Sequence, residues 1–228
     1  MAEFSIREVE GMRQIRIDIR EETVRARRGA LSNMRGQITM TPRLPGLRDV
    51  WASMFTREAR IRPYYHGTGS IYLRPTLGGY HLLAVAPGER WILEPGAFWA
   101  SEGATRLGFT REPMWSSLWA GDGLLSWKTT VGGEGVVAIN APGPVEVVEV
   151  EEGRLEAQGR LMLGRTDGLR FSTRRAARWP RHWLAGQERL RAFSGSGKAL
   201  VCWTSYWNER LYRRFNDEMQ KGIFYRGT

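Results

Sequence analysis

Three kinds of marker recur along the chain at nearly the same interval, and no other feature constrains the fold as much. A Gly-Ala-Leu at 29–31 is echoed by Gly-Ala-Phe at 96–98 and, more loosely, by Gly-Arg-Leu at 159–161, spacings of 67 and 63 residues. A Gly-x-Gly ahead of an apolar run appears at Gly67/Gly69, Gly133/Gly135 and Gly195/Gly197, spacings of 66 and 62. Aromatic pairs four residues apart, Trp51 and Phe55, Trp115 and Trp119, Trp179 and Trp183, are separated by 64 and again 64. Such agreement reads as an internal triplication, with repeats over about 12–66, 67–132 and 133–200. A unit of about 64 residues alone buries only about 60% of its unfolded surface, so the three units are expected to share a core in one compact domain spanning 1–228.

The local pattern is that of strands. Ile15, Ile17 and Ile19 alternate with Arg16, Asp18 and Arg20, the period-two signature of a half-buried strand. In the central copy, Ser70–Arg74, Tyr80–Val85 and Trp91–Glu94 are separated by Gly78-Gly79 and Pro87-Gly88, which reads as a meander of antiparallel strands. The paired glycines are expected in turns, where positive φ is wanted. In the third copy Val136–Asn140 is followed by Val145–Val150, whose alternation of apolar and acidic residues leaves one face wet. The expected class is all-β, diverged repeats of short antiparallel strands packed as a β-sandwich, plus one C-terminal amphipathic helix over about 205–221, where Trp207, Leu211, Phe215 and Met219 recur every four residues.

Charge is distributed unevenly. Of the net +10, residues 1–65 carry 13 basic and 8 acidic side chains, 66–150 carry 5 and 8, and 151–228 carry 16 and 8. Basic flanks around an acidic centre are compatible with attraction to nucleic acid or anionic lipid. Only Lys128, Lys198 and Lys221 are lysines, however, and an arginine bias also follows from codon usage alone. The first residues lack the apolar h-region of a signal peptide, no run approaches the ~20 apolar residues of a membrane span, and Cys202 is the single cysteine. A cytoplasmic protein without an internal disulfide is the expectation.

The motifs Gly-x-Gly-Ser-Ile-Tyr-Leu at 67–73, Trp-Ile-Leu-Glu-Pro-Gly-Ala at 91–97, Gly-Asp-Gly-Leu-Leu at 121–125 and Asn-Ala-Pro-Gly at 140–143 resemble those of the altered inheritance of mitochondria protein 24 family, over roughly residues 12–212. The resemblance implies repeated β units similar to the tryptophan RNA-binding attenuator protein (TRAP) fold, assembled as a homo-oligomer, with a trimer as the expected size. It transfers no catalytic residue.

His66, His81 and His182 have no metal-ligand spacing, although His66, His81 and Glu94 could be assembled in space, so metal: none is the expectation, as is the absence of any cofactor. Gly195-Ser-Gly-Lys198 is not a phosphate loop, since Ala192 occupies the place of the first glycine and Ala199 that of Ser or Thr. No nucleophile elbow is present, and Cys202 lies in an apolar run where thiols are inert. The reading is therefore a non-enzymatic homo-oligomeric binding or scaffold protein. The alternatives are an RNA- or anionic-membrane-binding protein using the basic flanks, and a small-molecule or metal-binding β-pocket. Candidate contact residues are the six aromatics Trp51, Phe55, Trp115, Trp119, Trp179 and Trp183 with Arg178 and Arg181, because tryptophan is costly to expose and Trp and Arg are favoured at interfaces. Core staple, oligomer interface and ligand contact all remain open for them.

Overall fold

A computed structural model of the chain describes residues 1–42, 62–76, 78–112, 127–158, 161–175 and 189–203. These form fourteen strands in two antiparallel seven-stranded sheets, with no helix among the described residues. The expected C-terminal helix lies outside them.

Grouped by strand pairing, the thirds run to Leu73 and Asn140, past the expected limits of 66 and 132, and the first supplies β1 (Glu3–Val9), β2 (Met12–Ala26), β3 (Leu31–Pro42) and β4 (Pro63–Leu73). Val9 pairs with Met12 across Glu10 and Gly11, both at positive φ (51° and 76°), the geometry of a type I′ hairpin turn. In β2 the alternation holds as expected, with Ile15, Ile17 and Ile19 buried. Strand β4 pairs with β2 on one side and with β3 on the other.

The middle third is divided between the sheets. Its strands are β5 (Tyr80–Val85), β6 (Arg90–Leu93), β7 (Phe98–Glu102), β8 (Arg106–Arg111), β9 (Trp127–Gly132) and β10 (Gly135–Asn140). Strands β5, β7 and β10 join the first sheet, ordered β3-β4-β2-β7-β10-β5 with β1 also on β2. Strands β6, β8 and β9 join the second, where β11 (Val145–Gln158), β12 (Met162–Thr166), β13 (Leu169–Arg175) and β14 (Arg189–Cys202) complete the order β11-β14-β12-β6-β9-β8 with β13 also on β14. The limits of β5 are those read from the sequence, but the meander is corrected. Strand β4 pairs with β2 and β3, β5 with β10, and β6 with β9 and β12, so β4, β5 and β6 do not pair with one another. Strand alternation reports burial and is silent on which strand lies alongside.

The Gly-x-Gly pairs are also corrected in two of three places. Gly67 and Gly69 lie inside β4, and Gly195 and Gly197 inside β14; only Gly133 stands between strands. Their freedom is used for close approach. Gly67 has φ 131°, and a Cβ there would sit 2.0 Å from the Gln37 carbonyl oxygen of β3. Opposite each mid-strand pair the partner strand bulges. In β2 the register shifts between Arg20 and Glu22, and the Glu21 amide donates to Thr68 Oγ1 (3.3 Å). In β11 it shifts between Val150 and Gly153, and the Glu152 amide donates to Ser196 Oγ (3.1 Å). The residue between the two glycines thus satisfies the amide that the bulge frees.

Three hydrophobic clusters among the described residues broadly follow the three groups of strands. The first is built on Ile15, Ile17, Ile19, Tyr65, Ile71 and Leu73, the second on Trp91, Leu93, Phe98, Val131 and Ile139, and the third on Met162, Leu169, Phe171 and Phe193. They interlock at their borders, since Ala100 and Ala138 belong to the first cluster, and Leu163, Leu200 and Cys202 to the second. Tyr80 closes the first cluster and donates its hydroxyl to the Arg74 carbonyl; burial pushes that hydroxyl up to about 12.

Candidate functional site

All eight sequence-chosen contact residues, Trp51, Phe55, Trp115, Trp119, Trp179, Trp183, Arg178 and Arg181, lie outside the described residues. The strands around them are described. Each aromatic pair falls between two strands that pair with one another antiparallel: β3 and β4 from Pro42 opposite Pro63, β8 and β9 from Arg111 opposite Trp127, and β13 and β14 from Arg175 opposite Arg189. Every aromatic pair therefore belongs to a hairpin connection.

The feet of those connections meet on one strand. At the foot of the first, Arg62 donates to Thr129 Oγ1 of β9 (2.9 Å), and its guanidinium lies over Phe98 and Phe109 at 4.5 and 5.1 Å from the ring centroids. At the foot of the second, Glu112 Oε1 stands 3.6 Å from Lys128 Nζ of β9 and 2.8 Å from Arg165 Nη2 of β12. Near the foot of the third, Arg191 of β14 pairs with Glu94 Oε2 (3.4 Å), whose other oxygen lies 2.5 Å from Lys128 Nζ. Glu94 itself is fixed just after β6 by its amide, which donates to the Leu163 carbonyl (2.9 Å).

This ionic cluster is inside the protein. The Lys128 side chain is 0% exposed, those of Glu112, Arg165 and Arg191 at most 7%, and that of Glu94 13%. Burying an ammonium costs several kcal/mol unless it is paired, so the two carboxylates are what allow Lys128 to sit there. Phe171 adds a face to it, with Lys128 Nζ at 5.2 Å and the guanidinium carbons of Arg165 and Arg191 at 6.0 and 5.9 Å from its centroid. Arg165 Nε donates to the Leu169 carbonyl (2.8 Å), while its Nη1 is buried without a hydrogen-bond partner. Sequence reading named only Glu94 from this group, as a carboxylate for a metal. The residues are scattered over 97 positions and share no spacing; the one available signal is that Lys128 is a rare lysine in an arginine-rich chain.

The other metal candidates are not brought together. His66 is on β4, within 3.2 Å of Thr23 Oγ1 and 3.9 Å of Glu21, whereas His81 is on β5 at the opposite side of the sheet, where partial burial lowers its pKa. Among the described residues no group of three His, Cys, Asp or Glu side chains is arranged to hold a metal. Cys202 is wholly buried in β14.

An open cleft of about 540 Å³ lies where the middle strands pass from one sheet to the other, lined by Pro87, Gly88, Arg90, Arg106, Gly133 and Glu134. Beside it, Glu89 is held below the usual carboxylate range, chiefly by its hydrogen bond with Lys198 (2.7 Å). No described helix is long and apolar enough to cross a membrane.

The sequence model of the family described as mitochondrial biogenesis AIM24 matches residues 4–202, which takes in all fourteen strands but for Glu3 at the start of β1. The chain belongs to the AIM24 family. Among solved structures, the crystal structure of a Streptococcus pyogenes protein from a structural genomics programme is similar to this AIM24 chain with a TM-score of 0.70 at 19% identity. The alignment covers 94% of this chain and 100% of that one, a likeness of fold. No curated protein matches.

Proposed function

We propose that this AIM24-family chain is a non-enzymatic, homo-oligomeric binding or scaffold protein built from three units of common plan, in which the described feet of the three aromatic-bearing connections are tied together. The observation that carries the reading is that residues at or beside the feet of those connections are tied to β9, Arg62 to Thr129 and Glu112 to Lys128 directly, and Arg191 to Lys128 through Glu94. A buried ionic cluster is an expensive way to fix three loop feet and adds little stability of its own, so its retention fits a demand for placement. The common plan is supported by strand pairing: β4, the run β9–β10, and β14 each pair on one side with the run just before them (β3; β7 and β8; β12 and β13) and on the other with the opening run of their own third (β2; β5 and β6; β11). Sedimentation velocity at micromolar concentration is the test. Species heavier than 26.0 kDa are expected, and a pure monomer removes the assembly half of the proposal.

A second reading, an RNA- or anionic-membrane-binding surface, is favoured by the first sheet, where the guanidiniums of Arg7 and Arg35 lie at 5.7 and 5.2 Å from the Tyr72 ring. Filter binding across a salt series and cosedimentation with anionic vesicles distinguish its two forms, since phosphate contacts give affinity that falls steeply with salt. Absence of both sinks it.

A further inference from the structure

The chain joins its thirds edge to edge, and one joint is left open. Val24–Ala26 of β2 pair antiparallel with Ala100–Glu102 of β7, and Trp91–Leu93 of β6 pair antiparallel with Gly164–Thr166 of β12. Both joints link the opening run of one third to the second run of the next. Two strands of these kinds remain: β11, which opens the last third, and β3, the second run of the first. Each stands at the end of its sheet, with one partner strand only among the described residues.

Strand β3 is neither short nor lysine-bearing, whereas β11 carries a bulge and five glutamates, which discourage pairing with its own kind and favour a partner that is not acidic. Strand β3 is 12 residues long and exposed at ten of them. Its one charged residue is Arg35, and Met34 and Met40 are 42% and 46% exposed. Strand β11 is 14 residues long, with Val147 43% exposed, and carries Glu146, Glu149, Glu151, Glu152 and Glu156 against Arg154. Charge decides among the pairings. Two β11 edges would set five glutamates against five, whereas β11 against β3 sets an acidic edge beside a weakly basic one.

We propose that the open edge of β3 pairs antiparallel with the open edge of β11 of a second copy of this chain, head to tail, repeating between molecules the joint used twice within one. The inference rests on the homo-oligomer reading above. A heterologous contact of this kind closes into a ring or continues as a filament according to its rotation.

A charge swap tests it by sedimentation velocity. Met34→Glu with Gln37→Glu makes β3 acidic and repels the native β11; Glu149→Arg with Glu151→Arg makes β11 basic at its centre. All four side chains are exposed, so far-UV circular dichroism and the thermal midpoint of both variants should match the parent. Each variant alone is expected to associate at least tenfold more weakly, and an equimolar mixture to restore a complex containing both. Edge variants that leave the parent's mass unchanged, a mixture that stays dissociated, or loss of assembly in Trp115→Ala with Trp119→Ala instead, each overturns the β3–β11 joint while leaving the oligomer standing. A monomeric parent overturns both readings together.

Discussion

Arg165 Nη2 of β12 lies 2.8 Å from Glu112 Oε1, with both side chains at least 93% buried. The pair links the strand next to β6 to the residue that follows β8, and each partner is the other's main compensation for leaving water. Removing one charge is therefore worse than removing two. Glu112→Ala should destabilise the protein by about 3–5 kcal/mol, and Glu112→Leu with Arg165→Met should recover most of that loss. Urea unfolding of the three proteins checks it, a double variant no better than the single being the contrary result.

Gly67 and Gly88 both have positive φ, at 131° and 83°, yet only Gly67 is crowded, a Cβ there lying 2.0 Å from a β3 carbonyl oxygen. Around Gly88 nothing lies within 4 Å. Gly88→Ala should cost about 1–2 kcal/mol, the price of a left-handed backbone, and Gly67→Ala about 3 kcal/mol or more because β3 and β4 must also part. Equal midpoints in urea for the two variants would contradict the close approach.

Burial holds the pKa of His81 below its ordinary 6.5. Below that pH the unfolded chain takes up a proton that the folded chain resists, so the imidazole lowers stability as pH falls from 6.5, and the loss levels off once the folded ring titrates. His81→Gln should therefore lose stability less steeply on acidification than the parent. The difference between their unfolding free energies, followed from neutral to mildly acidic pH, reads this directly.

Cys202 is 0% exposed within β14. A thiol reagent should modify it only as fast as the strand opens, and rapidly in denaturant. Prompt stoichiometric modification of the native protein would contradict its placement.

Much of the architecture was legible because burial leaves a local trace. Ile15, Ile17 and Ile19 announced β2, and Gly78-Gly79 with Pro87-Gly88 bounded β5 correctly. The partners of those strands left no such trace: Leu83 lies opposite Val137, 54 positions later, and Trp91 opposite Val131 and Thr166. Gly67 and Gly195 were misread as turn residues since a glycine that bends a chain and one that lets two backbones touch look alike in sequence. The buried charges escaped for a related reason. Glu94, Glu112, Lys128, Arg165 and Arg191 each sit in a different stretch, and only strand order makes them neighbours.

The middle third changes sheets four times, between β5 and β6, between β6 and β7, between β7 and β8, and between β9 and β10. Like stitches through two layers of cloth, these crossings fasten the sheets covalently as well as by packing. Denaturant or force that loosens one sheet must pull on the other, so in the dissociated chain the strands at the far margins, β3 and β11, should lose amide protection early while the stitched strands exchange together, in a single late step.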